Sequence, residues 1–263
     1  MIDWFVHLHP VWQGFLATLF TYSVTMLGAS LVFFFKSVNR KLMDVMMGFA
    51  AGVMIAASYW SLLSPAIELS RELGENPVFH AAVGFVCGGA FLMLSDILLN
   101  RRKCCKAKGE GWLRCILITT AVTMHNIPEG LAVGVAFGSA AVSDGGTSLV
   151  GAVMLAVGIG IQNFPEGTCV AMPLRREGAS RWKSFFIGQL SGVVEPAAGV
   201  IGVLFALKVQ LILPFVLSFS AGAMISVVCS ELIPESFRDN KNLATVGVMA
   251  GFVVMMVLDV LLG

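Results

Sequence analysis

Residues 113–137 read LRCILITTAVTMHNIPEGLAVGVAF, and residues 148–173 read SLVGAVMLAVGIGIQNFPEGTCVAMP. Each stretch is long and apolar enough to cross a bilayer as a helix, which takes about 20 residues. Each also carries a polar hexapeptide near its middle, HNIPEG at 125–130 and QNFPEG at 162–167, with Asn, Pro, Glu and Gly at matching offsets. On a helix, residues three and four apart share a face. His125 and Asn126 therefore lie over Glu129, and Gln162 and Asn163 lie over Glu166. Two neighbouring helices of this kind can present six oxygen or nitrogen ligands to one shared space.

The rest of the chain has the same apolar character. Of 263 residues, 57% are hydrophobic and only 13% charged, where a soluble domain carries about 25% charge. A mean hydropathy of +0.86 places the chain in a bilayer. A net charge of +1 suggests no nucleic-acid partner, and the N-terminus lacks the basic region of a signal peptide. Six cysteines show no disulfide framework. The adjacent pair Cys104 and Cys105 in a basic loop reads as reduced cytosolic thiols, with metal binding or palmitoylation as the other readings.

Working outward from the two motifs gives eight spans, near residues 11–35, 43–67, 78–99, 113–137, 148–173, 184–207, 210–236 and 243–262. Polar loops separate them and leave no room for a soluble domain. Every Lys and Arg except Arg71 and Lys208 falls in a loop after an odd-numbered span. The positive-inside rule then places both termini on the extracytoplasmic side.

Span two, FAAGVMIAASYWSLLSPAIE from Phe49, resembles span seven, FSAGAMISVVCSELIPESF from Phe219. Gly84, Gly88, Met93, Asp96 and Leu98 of span three recur in span eight as Gly247, Gly251, Met256, Asp259 and Leu261. The match of span one to span six is weaker, with Leu16 and Gly28 set opposite Leu190 and Gly202. The expected architecture is an all-α membrane protein of eight transmembrane helices in a 3+2+3 arrangement. Repeat one covers 11–99, the central motif pair 113–173 and repeat two 184–262, all in one transporter domain, 1–263. Span two and span seven enter from opposite sides, so the repeats are inverted, as in secondary transporters with binding sites near the bilayer midplane.

Pro128 and Pro165 each remove a helical hydrogen bond and free the carbonyls of Met124 and Ile161, which in a membrane need a partner. Gly130 and Gly167 permit close helix approach. Span six adds Glu195, followed by Pro196, with Gln189 and Ser191 nearby. A carboxylate at the bilayer centre costs about 2.5–3.5 kcal/mol on insertion scales. Glu129, Glu166 and Glu195 would repel one another unless cations sit between them or some are protonated. Two divalent ions bridged by Glu129 and Glu166 resolve the conflict. The competing reading, protonated carboxyls paired across helices, fits one glutamate better than three accompanied by His125 and duplicated amides. One imidazole among carboxylates and amides suits Zn²⁺, Mn²⁺, Fe²⁺, Co²⁺ or Cd²⁺ and disfavours Cu⁺.

HNIPEG, QNFPEG, the Glu195–Pro196 pair and the eight-span layout resemble the ZIP family of zinc- and iron-regulated transporter-like proteins, in its GufA-like branch. The resemblance covers essentially the whole chain. It implies import of divalent metal into the cytoplasm through a binuclear site, with the metal as cargo and no resident cofactor. His125, Glu129, Gln162 and Glu166 would form one metal site. Asn126, Glu129, Asn163, Glu166 and Glu195 would form the second. The resemblance also implies a homodimer in the lipid bilayer and an elevator-like motion of spans one, four, five and six. Many members have His where Gln162 stands and a His-rich loop between spans three and four, which this chain lacks.

Other polar residues read as structural. His7, His9 and His80 are expected in solvated positions outside, with attraction of metal as the other reading, and Asp96 with its mirror Asp259 as packing or interfacial anchors. Glu68 at the outer end of span two, and Glu231 and Glu235 at the inner end of span seven, are candidate way-stations or interfacial charges. An intramembrane metalloprotease would need an HExxH-type zinc motif, which is absent. A metal-selective channel and an ion-coupled carrier of an organic solute are the remaining alternatives. An anionic solute is disfavoured because no Lys or Arg stands in the interior of a span, Arg114 lying at the very edge of span four.

Overall fold

The computed structural model describes residues 3–35, 39–102, 110–142, 148–176, 178–208 and 210–262. Among them every regular element is helical. A short α1 (Asp3–Val6) leads into α2 (Pro10–Ala29), which tightens into a 3₁₀ turn over Ser30–Phe33. Next come α3 (Arg40–Ala57), a π turn at Ser58–Leu63 and α4 (Ser64–Glu72). The long helices α5 (Pro77–Arg102), α6 (Glu110–Val142) and α7 (Leu149–Arg176) follow. The chain continues through α8 (Arg181–Leu190), α9 (Val194–Lys208), a 3₁₀ turn at Gln210–Ile212 and α10 (Leu213–Val227). It ends with a π turn at Val228–Leu232, α11 (Ile233–Ser236) and α12 (Lys241–Leu262). The loop thiols Cys104 and Cys105 lie outside the described residues, as do the side chains of Asp96, Cys115 and His125.

The protein is an all-α membrane protein. Among the described residues, seven stretches are long and apolar enough to cross a bilayer: Pro10–Phe33, Arg40–Glu72, Pro77–Leu94, Leu149–Arg175, Arg181–Lys208, Leu213–Ser236 and Lys241–Leu261. The helix that carries the first motif, α6, runs for 33 residues, about 50 Å at 1.5 Å per residue. Only part of its side chains belong to the described residues.

Three spans have an internal structure that apolar content does not announce. Pro65 cannot donate to the Ser61 carbonyl, so the helix widens and the Ser64 N–H reaches back five residues to Tyr59 O. Before Pro234 the same thing happens, and the Ile233 N–H reaches Val228 O. The expected span 184–207 is two helices, because the chain turns at 191–193 between α8 and α9. Glu195 therefore stands in the first turn of α9, not in mid-helix. The positive end of the helix dipole favours a carboxylate there.

The closest helix partners are α3 with α12, α5 with α10, α2 with α7 and α6 with α9. Exchanging spans two and seven, three and eight, one and six, and four and five maps this set onto itself. Backbone contacts follow the same exchange. Gly88 faces the Phe219 carbonyl, and Gly251 faces the Phe49 carbonyl. Between lipid-solvated helices, close approach of small residues supplies much of the packing. The buried core between them includes Met54, Phe137, Leu155, Ile159, Leu217 and Met224.

The register of span one against span six differs from expectation. Asn163 Nδ2 donates to Thr21 O at 3.2 Å, and Asn126 Nδ2 donates to Ser191 O at 2.9 Å. Gly167 packs on the Thr25 backbone as Gly130 packs on the Glu195 backbone. Thr21 therefore corresponds to Ser191, and Thr25 to Glu195. The pairing of Leu16 and Gly28 with Leu190 and Gly202 is one helical turn out of register. Few side chains are shared by these two spans, so backbone contacts reveal the match better than composition does.

Candidate functional site

The two motif helices and the first turn of α9 bring the polar residues together, with α2 closing the space. Asn126 and Asn163 are fully buried, and Glu129, Gln162 and Glu195 are at most 1% exposed. Glu166 is half-buried. Gly130 allows α9 this close: a Cβ there would fall 2.5 Å from the Glu195 carbonyl oxygen.

The hydrogen bonds run between the motifs. Gln162 Nε2 on α7 donates to Glu129 Oε1 on α6 at 2.6 Å. The Asn126 amide on α6 in turn hydrogen-bonds the Glu166 carboxylate on α7. Each motif thus braces the carboxylate of the other. The Glu166 and Glu195 carboxylates both bear electrostatically on Glu129, so the three expected acids do gather in one region.

Glu195 is held differently from the other two. Asn163 Nδ2 donates to its Oε1 at 3.0 Å and to its Oε2 at 3.1 Å. The hydroxyl of Thr21 on α2 also donates to it, and Thr25, whose hydroxyl donates to Thr21 O at 3.4 Å, stands beside it. Both Glu195 oxygens thus have donors, whereas five oxygens around it have none. Asn126 Oδ1, Glu129 Oε2, Gln162 Oε1, Asn163 Oδ1 and Glu166 Oε1 are buried without a hydrogen-bond partner. Leaving one buried polar group unpaired costs about 1–3 kcal/mol. Five acceptors at the duplicated motif positions form an oxygen-rich space suited to a hard or borderline cation. Among the described residues no three His, Cys, Asp or Glu side chains could hold an ion by themselves. Ligation here would draw on the amides as well as the carboxylates. The remaining expected ligand, His125, has its backbone on α6 within the described residues and its side chain outside them.

Thr21 and Thr25 were not anticipated from sequence. With Thr18 they form a fully buried polar stripe along one face of α2, at helical spacing in an otherwise apolar segment. That periodicity was the available signal, but hydroxyls in membrane helices usually bond back to their own backbone, as Thr18 does to Gly14 O at 2.8 Å.

Of the secondary candidates, Glu231 bears electrostatically on Glu166, and the others have partners or surroundings of their own. Glu235 pairs with Arg40 Nη2 at 2.9 Å, and Arg40 Nε reaches Asp239 at 2.7 Å. Asp259 Oδ1 accepts from Ser61 Oγ at 2.7 Å. His80 contacts Ser70 Oγ at 3.0 Å, and His9 accepts from the Val11 N–H at the start of α2. Glu68 is exposed and Glu231 half-buried.

Comparison with known proteins gives a consistent picture. A family described as "ZIP Zinc transporter" matches residues 106–259, which include both motifs and Glu195. The chain is 39% identical to "Zinc transporter ZIP11" of Xenopus tropicalis, over 97% of this chain and 98% of that protein. Identity to the Homo sapiens protein of the same name is 38%, over 96% and 98%. To "Zinc transporter GufA" of Myxococcus xanthus it is 38%, over 95% and 99%.

Proposed function

We propose that this chain, which belongs to the ZIP zinc transporter family, carries divalent metal ions into the cytoplasm through the oxygen-lined centre between α6, α7 and α9. The observation that carries the reading is the set of five buried, unpartnered oxygens on Asn126, Glu129, Gln162, Asn163 and Glu166. The names of the relatives support Zn²⁺ as the foremost cargo, and the donor set also accommodates Mn²⁺, Fe²⁺, Co²⁺ and Cd²⁺.

In this reading Glu129 and Glu166 bridge two ions. One ion is completed by His125 and Gln162, the other by Asn126, Asn163 and Glu195. To admit the second ion, Asn163 must turn its Oδ1 inward and give up its bonds to Glu195. Thr21 holds Glu195 in place meanwhile. The weak amide ligands keep the site looser than a structural zinc site, which suits release. Eight spans in inverted repeats, alternating access by movement of spans one, four, five and six, extracytoplasmic termini and a homodimer belong to the same proposal. The exchange-symmetric helix contacts support it. The chain acts as a transporter and not as an enzyme.

The test is uptake into liposomes with a panel of divalent metals. Zn²⁺ uptake is expected to saturate with concentration in wild type and to fall in Glu129→Gln and Glu166→Gln by at least the roughly 10- to 100-fold that losing even an outer partner of a metal ligand costs. Wild-type rates in either variant would remove the site assignment. A flux linear in concentration with no saturation would favour the channel.

A further inference from the structure

Two consecutive residues of α2 grip the broken span six on either side of its break. Pro196 cannot donate to the Gly192 carbonyl, and the Glu195 N–H takes that place at 3.0 Å. The Gly192 and Val193 N–H groups likewise reach back only three residues, to Gln189 O and Leu190 O. Beyond the break, the Thr21 hydroxyl donates to the Glu195 carboxylate. Before it, the Tyr22 hydroxyl donates to Gln189 Oε1. We propose that Tyr22 is a positioning residue for the second ion: by clamping the end of α8 through Gln189, it sets the start of α9 and with it the place of the Glu195 carboxylate. The inference rests on the transport reading above, in which Glu195 completes that ion.

The break interrupts the ladder of helical hydrogen bonds, so α8 and α9 are two rods joined by a short turn. Contacts from neighbouring helices must then fix the angle between them. Asn126 Nδ2 supplies one from α6, donating to Ser191 O at 2.9 Å, and Tyr22 supplies another from α2. Gln189 is buried and Tyr22 half-buried, which shields their bond from water and strengthens it. The joint also touches the carboxylate that it places. A Cβ at Gly192 would fall 3.2 Å from Glu195 Oε1, so a shift of the joint moves Glu195 or collides with it. Ion entry makes the clamp matter. Asn126 is itself a proposed ligand, and Asn163 must release Glu195 when its Oδ1 turns to the ion. The Tyr22–Gln189 bond involves no proposed ligand, so it persists as the ion enters. A binding constellation has to be held to within about 0.5 Å by such supporting contacts, and losing an outer partner of a metal ligand costs about 10- to 100-fold in affinity.

The alternative is a bond that ties α8 to α2 and does nothing more. The deciding experiment titrates full-length protein in detergent with Zn²⁺ alone, by calorimetry, in wild type, Tyr22→Phe, Glu195→Gln and the double variant. Wild type is expected to bind two ions. Tyr22→Phe, which keeps the ring and removes the hydroxyl, is expected to weaken the ion that Glu195 completes about tenfold and to leave the other unmoved. On the Glu195→Gln background it should add nothing, because the carboxylate it positions is gone. Weakening of both ions alike, of neither, or by the same factor on the Glu195→Gln background overturns the proposal. Should Tyr22→Phe not fold, Gln189→Leu removes the same bond from its other partner and carries the same expectations. Wild type that binds one ion, or Glu195→Gln that binds both as tightly as wild type, sinks the two-ion reading and this inference with it. Two ions in wild type, one of them weakened by Glu195→Gln and not by Tyr22→Phe, sinks the role of Tyr22 alone.

Discussion

Gln162 is the position where the two motifs differ most in chemistry, with His125 at the matching offset in the other. Its amide does two things: Nε2 braces Glu129 and Oε1 is left open. A histidine there could keep the donor with one ring nitrogen and offer the other to metal. Imidazole nitrogen favours Zn²⁺ over Mn²⁺ more than an amide oxygen does. Gln162→His is therefore expected to raise the Zn²⁺-to-Mn²⁺ affinity ratio about tenfold, about 1.4 kcal/mol, in a competition binding assay. An unchanged ratio would mean that Gln162 braces Glu129 without touching the ion. Thr21 invites a different substitution. Thr21→Val keeps the shape and removes a donor from buried Glu195, which should cost about 1–3 kcal/mol. The readout is the midpoint of thermal unfolding without metal, and a midpoint equal to wild type would show that Asn163 suffices.

Among elements, the decisive contacts are those between α6 and α9 and between α7 and α2, both closed by glycine. A Cβ at residue 130 would meet the Glu195 backbone, and one at residue 167 would meet that of Thr25. Gly130→Ala should thus push α9 off α6 and displace Glu195, with overpacking costing about 1–3 kcal/mol. Metal affinity should fall with it, measured by equilibrium dialysis. Retention of both stability and affinity would show that the helices can part without loss. Much of this level was legible in the sequence. The long apolar runs and the two hexapeptides came from residue patterns that the fold respects. The break before Glu195, the two π turns and the register of span one were not legible. Hydropathy averages over such interruptions, and the proline and neighbouring-helix contacts that cause them leave the mean unchanged. The Thr stripe on α2 was hidden for a related reason, since three hydroxyls barely lower the apolar character of a helix.

The whole molecule gathers three carboxylates between its helices, and in the proposed reading these groups hold the cargo. Metal competes with protons for Glu129, Glu166, Glu195 and His125. Uptake into liposomes is expected to weaken as external pH falls below about 6, near the ordinary range of imidazole. A rate that stays flat or rises on acidification would show that protonation does not oppose the slow step, or that protons drive it. The claim beneath all of these is that Glu129 and Glu166 share metal between α6 and α7. Anomalous scattering from crystals grown with Zn²⁺ or Cd²⁺ tests it most directly. The account predicts two peaks between the motif helices, each within about 2.0–2.6 Å of oxygens from both carboxylates. Glu129 and Glu166 facing separate compartments, or no peak between them, would contradict it.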